Sequence, residues 1–195
     1  VGNIVSPEEI IAKYGRDCLR YYFAKLSKGE DFSFDEEEFK GIQSVFNTLS
    51  NVNNFVNQLE KQRQIVQIED KWIISKFNSL LEKATAAYNS YKTFEVVSEL
   101  EQFIVFDLSR KYIKLIRDRS GETYETLNEI RIGLLKLLSP IAPFFTEQAW
   151  REFNKKNLAK EESIYLSDWP EINKKAINKK LEEEFEAALK VIEAG

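Results

Sequence analysis

The chain has 195 residues, with 28 Lys and Arg against 32 Asp and Glu, and a net charge of −4. It contains no His and one Cys, which removes the side chains needed for His-based acid–base catalysis, for Ser/His or Cys/His nucleophiles, for His/Cys zinc sites and for an internal disulfide. Seven Gly and four Pro in a chain that is 43% hydrophobic argue for long helices over a turn-rich β fold. Taken in order, Ser6-Pro7-Glu8-Glu9 is a helix start: Ser at the N-cap, Pro at N1 and Glu at N3. This helix runs to Tyr14 and stops at Gly15, and a second runs from Arg16 or Asp17 to Leu26. Lys28-Gly29-Glu30-Asp31 reads as a turn, and Phe32-Ser33-Phe34 as a short extended piece.

Asp35 with Glu38 opens a long helix whose apolar face holds Ile42, Val45, Phe46, Leu49, Val52, Val56 and Leu59. Its opposite face is made of amides: Gln43, Asn47, Asn51, Asn54 and Gln58. Lys and Glu are better helix formers than Asn, so this face is either a merely polar surface or one suited to base edges and ribose hydroxyls. Asp70 starts the next helix, with Ile73, Ile74, Phe77, Leu80, Leu81, Ala84 and Tyr88 at helical spacing. After a link at Tyr91-Lys92-Thr93, a long helix runs from Phe94 and closes at Ser120-Gly121. A further helix covers Thr123 to Leu138. Pro140 and Pro143 then re-aim the chain into a short helix from Thr146 to Phe153. Ser163 to Pro170 reads as an extended aromatic strap, and Leu181, Phe185, Ala188, Leu189 and Ile192 mark a last amphipathic helix.

These elements predict an all-α bundle whose core includes Phe46, Leu49, Ile74, Phe77, Leu81, Phe94, Ile104, Leu108, Leu135 and Leu138. Trp72, Trp150 and Trp169 are read as core residues. Three segments emerge: 1–34, 35–160 and 161–195. No run is apolar enough to span a bilayer, and the lone Cys18 fits a reducing, cytoplasmic compartment. Val1 in place of Met suggests a piece of a longer chain. The clusters Asp35–Glu38 and Glu182–Glu184 sit at helix starts, where negative charge suits the macrodipole.

Charge is uneven. Residues 61–160 are net basic, while both ends are net acidic. The basic excess concentrates at Asp107-Leu108-Ser109-Arg110-Lys111-Tyr112-Ile113-Lys114-Leu115-Ile116-Arg117-Asp118-Arg119. On an α-helical wheel, Ile104, Leu108, Tyr112 and Leu115 fall on one side, and Arg110, Lys114 and Arg117 on the other. That arrangement meets a phosphate backbone without unpacking the core. Asp107 with Lys111 and Lys114 with Asp118 are also i,i+4 pairs, so on the spacing alone an ordinary solvated ion-pair face is the commoner outcome.

Several segments together resemble class Ia aminoacyl-tRNA synthetases. Val1-Gly2-Asn3-Ile4-Val5-Ser6-Pro7-Glu8-Glu9-Ile10-Ile11, Lys13-Tyr14-Gly15-Arg16-Asp17 and Leu19-Arg20 are similar to the segment following the KMSKS loop. Asp70-Lys71-Trp72-Ile73-Ile74-Ser75-Lys76 resembles the start of a core helix of the anticodon-binding bundle. Leu138 to Glu147 resembles its proline-kinked helix pair, and Ser163 to Pro170 the strap after it. Asp107-Leu108-Ser109-Arg110, Tyr112-Ile113 and Arg117-Asp118-Arg119 look most like the isoleucyl enzymes. Lys111 stands where that family usually has Trp, and Trp150 is commoner in the valyl and leucyl enzymes, which are the alternatives.

The resemblance implies the anticodon-binding helical bundle of these enzymes, preceded by a small helical stem-contact segment at 1–34. The parent enzyme would use ATP and magnesium to activate isoleucine and would esterify it to tRNA in an upstream catalytic fold. This part would hold the tRNA and have no active site or cofactor of its own. Phosphate-contact candidates are then Lys13, Arg16 and Arg20 in the first segment, and Arg110, Lys111, Lys114, Arg117 and Arg119 in the bundle. Arg20 could instead pair with Asp17, and Arg119 could tie down its helix end. Asn47, Asn51 and Asn54 are amide candidates for RNA. The competing class is a helical protein-interaction module that docks through the acidic C-terminal helix.

Overall fold

The computed structural model describes residues 6–29, 34–155 and 161–194, and among these the regular structure is helical throughout. Two short helices, α1 (Pro7–Tyr14) and α2 (Arg16–Leu26), precede the long α3 (Glu37–Gln58) and α4 (Ile68–Asn89). Ser6 caps α1 through its hydroxyl, which accepts from the Glu8 N–H at 3.2 Å. Gly15 breaks α1 from α2 at φ +90°, a backbone conformation that a side chain would strain. The start of α4 lies two residues before the expected Asp70. Gln67 and Asp70 form a reciprocal capping box, so Asp70 is the third helical residue. The extended reading of Phe32 and Ser33 lies outside the described residues.

The fifth helix holds the main surprise. It starts as α5 (Thr93–Glu101), runs on through a π-helical stretch (Gln102–Tyr112) and ends in one α-turn, α6 (Ile113–Leu115). Within it the Ile113 N–H reaches back five residues to the Leu108 carbonyl. Phe103, Ile104, Asp107, Leu108 and Tyr112 are buried. Leu115, placed inside by an α-helical wheel, is exposed instead, and Ile116 takes the buried position. The wider turn rotates later side chains away from where a 100° step puts them. A 3-10 turn (Arg117–Thr123) leads into α7 (Tyr124–Leu138) and α8 (Pro143–Asn154).

The bundle has two distinguishable ends. At one, the Ser27 and Thr93 hydroxyls meet, Tyr88 donates to the Leu137 carbonyl, and α2 docks. The Asp17 carboxylate accepts the Phe145 N–H at 2.6 Å, at the start of α8. At the other, the extended 59–67 segment packs on the 117–123 turn, with the Gln62 N–H donating to the Gly121 carbonyl. A Cβ on Gly121 would lie 2.8 Å from the Glu60 carbonyl, so only glycine permits this approach. Chain alternation makes the first end proximal to α1–α2 and the second distal.

The core joins all the long helices. Phe46, Leu49, Phe77, Leu81, Ile104, Leu108, Leu135 and Leu138 are buried as expected, whereas Ile74 and Phe94 are half-buried at the margin. Trp72 and Trp150 are buried, but Trp169 is 39% exposed, set edge-on to Tyr88 with its N–H donating to Thr85. The strap at Ser163–Pro170 is not fully extended. A 3-10 turn (Ile164–Leu166) buries Ile164 and leaves Tyr165 and Leu166 exposed. Arg131 is fully buried, its guanidinium donating to Asn57 and Asn128 and lying 4.7 Å from the Phe153 ring centroid. It links α7 to α3 and α8 as a cation held by amides.

The last helix, α9 (Lys179–Ala194), docks onto α4. Phe185 stacks on Trp72 at 4.8 Å. Glu186 pairs with Lys111 at 2.6 Å, and Lys111 and Lys76 both meet the buried Asp107. The Ser75 and Ser79 hydroxyls donate to Glu182. Burial pushes the Glu182 carboxyl up, but these hydroxyls and the Lys179 ammonium outweigh it and hold it below its ordinary value. Its stabilising share is therefore complete above the ordinary glutamate range of ~4.3 and is lost as pH falls through the lowered value. Asp107 has the opposite sign: burial, opposed by Lys76, holds it above its ordinary value, so its protonation does not drive release. We expect acidification below about pH 4 to free α9, read as loss of the Trp72 near-ultraviolet circular dichroism signal. A Glu182→Gln variant should lack this acid step; a wild-type signal unchanged down to about pH 2 would refute the assignment.

Candidate nucleic-acid interface

The π-helical stretch sets out the cations. Gln102, Phe106, Arg110 and Lys114 follow one another at intervals of four, and all are exposed. Arg110 lies over the Phe106 ring, its guanidinium carbon 4.8 Å from the ring centroid. Arg117, also exposed, begins the turn beyond. Arg110, Lys114 and Arg117 have no carboxylate partner among the described residues. The expected Lys114–Asp118 pair is absent among those residues, whereas Asp107–Lys111 forms at 3.4 Å. The ion-pair reading therefore holds for Lys111 and not for the three outward cations.

Lys111 is directed inward. It is half-buried between Asp107 and Glu186, 6.0 Å from the Trp72 ring centroid. Burial works against its charge, but Glu186 and Asp107 hold the ammonium above its ordinary value. A phosphate could reach it only by displacing α9.

Arg119 is likewise engaged, as the tie-down alternative supposed. It donates to both oxygens of buried Asp70, at 2.9 and 3.0 Å, and to Glu69. Tyr112 donates to the same Asp70 at 2.6 Å. Among the described residues Arg20 forms no ion pair with Asp17, although it stays exposed. Its guanidinium donates to the Ile141 and Pro140 carbonyls, each at 3.0 Å, and so caps the α7–α8 corner. Lys13 is exposed and paired with Glu36, and Arg16 is exposed beside the Phe144 ring.

The amide candidates occupy a different surface. Asn47, Asn51 and Asn54 are all exposed. Asn47 and Asn54 line a groove of about 560 Å³ between α3 and α8, together with Gln43, Asn53 and Gln148. Tyr14 and Cys18 close its proximal side, next to Lys13 and Arg16 in the chain, and none of the α5–α6 cations lines it. The structure thus separates the candidates into an α5–α6 row near the distal end and an α3–α8 groove nearer α1–α2. Phe106 was missed by sequence reading, although a 100° step already sets it on the outward side with Arg110 and Arg117, opposite Leu108: the signal was an aromatic standing on the polar face. Burial pushes the Cys18 thiol up to about 11, so it stays protonated and is no nucleophile.

Residues 70–195 match the family model described as the anticodon-binding domain of tRNA ligase. The whole chain is similar to isoleucine–tRNA ligases of Methanococcus aeolicus (34% identical), Pyrococcus abyssi (32%) and Methanothermobacter marburgensis (34%). It spans only 20%, 20% and 21% of those relatives, respectively. Its fold is similar to that of a LeuRS of Agrobacterium radiobacter K84 solved in ternary complex with tRNA and LeuAMS, with a TM-score of 0.65 at 17% identity over 91% of this chain and 22% of that one. From Asp70 onward, α4 and every helix after it lie within the matched span. The chain belongs to the anticodon-binding domain family of tRNA ligases.

Proposed function

We propose that this bundle holds the anticodon arm of an isoleucine tRNA for a parent isoleucine–tRNA ligase, acting in the cytoplasm. The observation that carries the reading is the row of outward cations, Arg110, Lys114 and Arg117, exposed and free of carboxylates on a bundle of this family. A cation without an acidic neighbour has its charge available to neutralise phosphate and release counterions. The distal position of the row suits an RNA whose acceptor end lies toward α1–α2 and a catalytic fold beyond them. Contacts made this far from the reacting ester orient the tRNA and raise the rate by positioning. ATP and magnesium belong to the parent's catalytic part, and this bundle contributes grip and not chemistry.

The test is binding of the protein in its full natural length to isoleucine and valine tRNA transcripts over a salt series. We expect tighter binding of the isoleucine tRNA, weakening steeply as salt rises. Equal binding of both tRNAs, or binding indifferent to salt, would reject the isoleucine assignment or the RNA assignment, respectively.

A further inference from the structure

Phe106 is 42% exposed and sits on the cationic row, flanked by Gln102 and Arg110. An exposed aromatic among polar neighbours is too small an apolar surface to anchor a protein partner by burial alone. Its chemistry is specific in another way. The guanidinium carbon of Arg110 lies 4.8 Å from its ring centroid, so the ring steadies the cation while Arg110 stays exposed to solvent. Guanidinium and aromatic planes are the surfaces on which unpaired RNA bases stack, while exposed amides bond base edges and ammonium groups meet phosphate. Gln102, Phe106, Arg110 and Lys114 supply amide, aromatic, guanidinium and ammonium in sequence along one exposed row.

We propose that Phe106 and Arg110 form a stacking platform for one unpaired base of a single-stranded RNA loop. Phe106 is the positioning residue and Arg110 the contact plane. Gln102 lies within one step of the row to bond the base edge, and Lys114 to meet the adjoining phosphate. A paired stem keeps its bases stacked on each other and offers the platform nothing but phosphate, so the site selects loop over duplex. This rests on the reading that the bundle binds a tRNA arm, and it adds which surface takes a splayed base.

The experiment measures binding of the full-length natural protein to two RNAs: an anticodon stem–loop hairpin, and a loopless duplex of the same stem. Phe106→Ala should weaken hairpin binding about 5- to 150-fold and leave duplex binding unchanged. The slope of log affinity against log salt should stay the same, because no charge is removed. Arg110→Lys should keep the slope and lose hairpin preference, whereas Arg110→Ala should lose both. Phe106→Tyr should bind as wild type, and Phe106→Leu, which keeps bulk without a π face, should behave as Phe106→Ala. Hairpin binding unchanged in Phe106→Ala, equal loss for hairpin and duplex, or full activity of Phe106→Leu would each overturn the platform. Failure of the wild-type protein to bind either RNA would instead overturn the tRNA-arm reading on which it rests.

Discussion

Replacing Asp70 with Ala is expected to cost about 3–5 kcal/mol of stability, the effect of breaking a buried charge cluster from one side. The side chain is 3% exposed and accepts four hydrogen bonds from three residues. It accepts from the Tyr112 hydroxyl and from the Arg119 guanidinium, and it takes the Gln67 N–H at 2.7 Å to close the α4 capping box. Removing it leaves the buried Tyr112 phenol without its acceptor and the largely covered Arg119 guanidinium with Glu69 as its remaining carboxylate, and it frays the first turn of α4. Asp70→Asn keeps the shape and one acceptor, so it should cost less than Asp70→Ala. Urea unfolding followed by helical circular dichroism decides the matter. A midpoint shift worth less than about 1 kcal/mol at unchanged slope would mean that the corner is held by packing instead. Arg119→Ala should also destabilise, without changing the salt slope of RNA binding.

The second large effect concerns the free cations. Arg110→Ala, Lys114→Ala and Arg117→Ala combined should lower tRNA affinity about 10- to 100-fold, at up to ~1 kcal/mol for each exposed cation. The slope of log affinity against log salt should fall by about 2. Folding should be unaffected, because none of the three is bonded within the described fold except for Arg110 over Phe106. Lys111→Ala makes the control. Its ammonium lies between Asp107 and Glu186, so its loss should loosen α9 and leave the salt slope intact. If Lys111→Ala lowers the slope as much as the triple variant, the division between structural and available cations is wrong.

That division marks where sequence reading stops. Helix number, order and approximate limits follow from local rules. Ser6-Pro7 and Gly15 punctuate α1, the spacing of Ile42 through Val56 predicts α3, and Pro140 with Pro143 predicts the α7–α8 corner. The same periodicity identifies most of the core, because burial of an apolar stripe is the dominant favourable term whatever the partner. The family resemblance was legible too, since it rests on ordered motifs rather than on contacts.

Charge was not legible in the same way. Lys13, Lys111, Arg119 and Arg20 are all candidate cations in sequence, and only contacts over many residues separate them from Arg110 and Arg117. Arg119 meets a carboxylate 49 residues away, Lys111 one 75 away, and Arg20 a carbonyl 121 away. An ion pair is fixed by where two elements dock, which no local pattern encodes. The π-helical turn compounds this. Its backbone bonding to the fifth residue back shifts the register and moves Leu115 out. The sequence by itself determined which segments are helical, which faces are apolar and to which family the chain belongs, because those follow from spacing and short-range chemistry. The tertiary structure alone decided which cations remain free for RNA, because a charge is available only when no distant carboxylate or carbonyl has been folded against it.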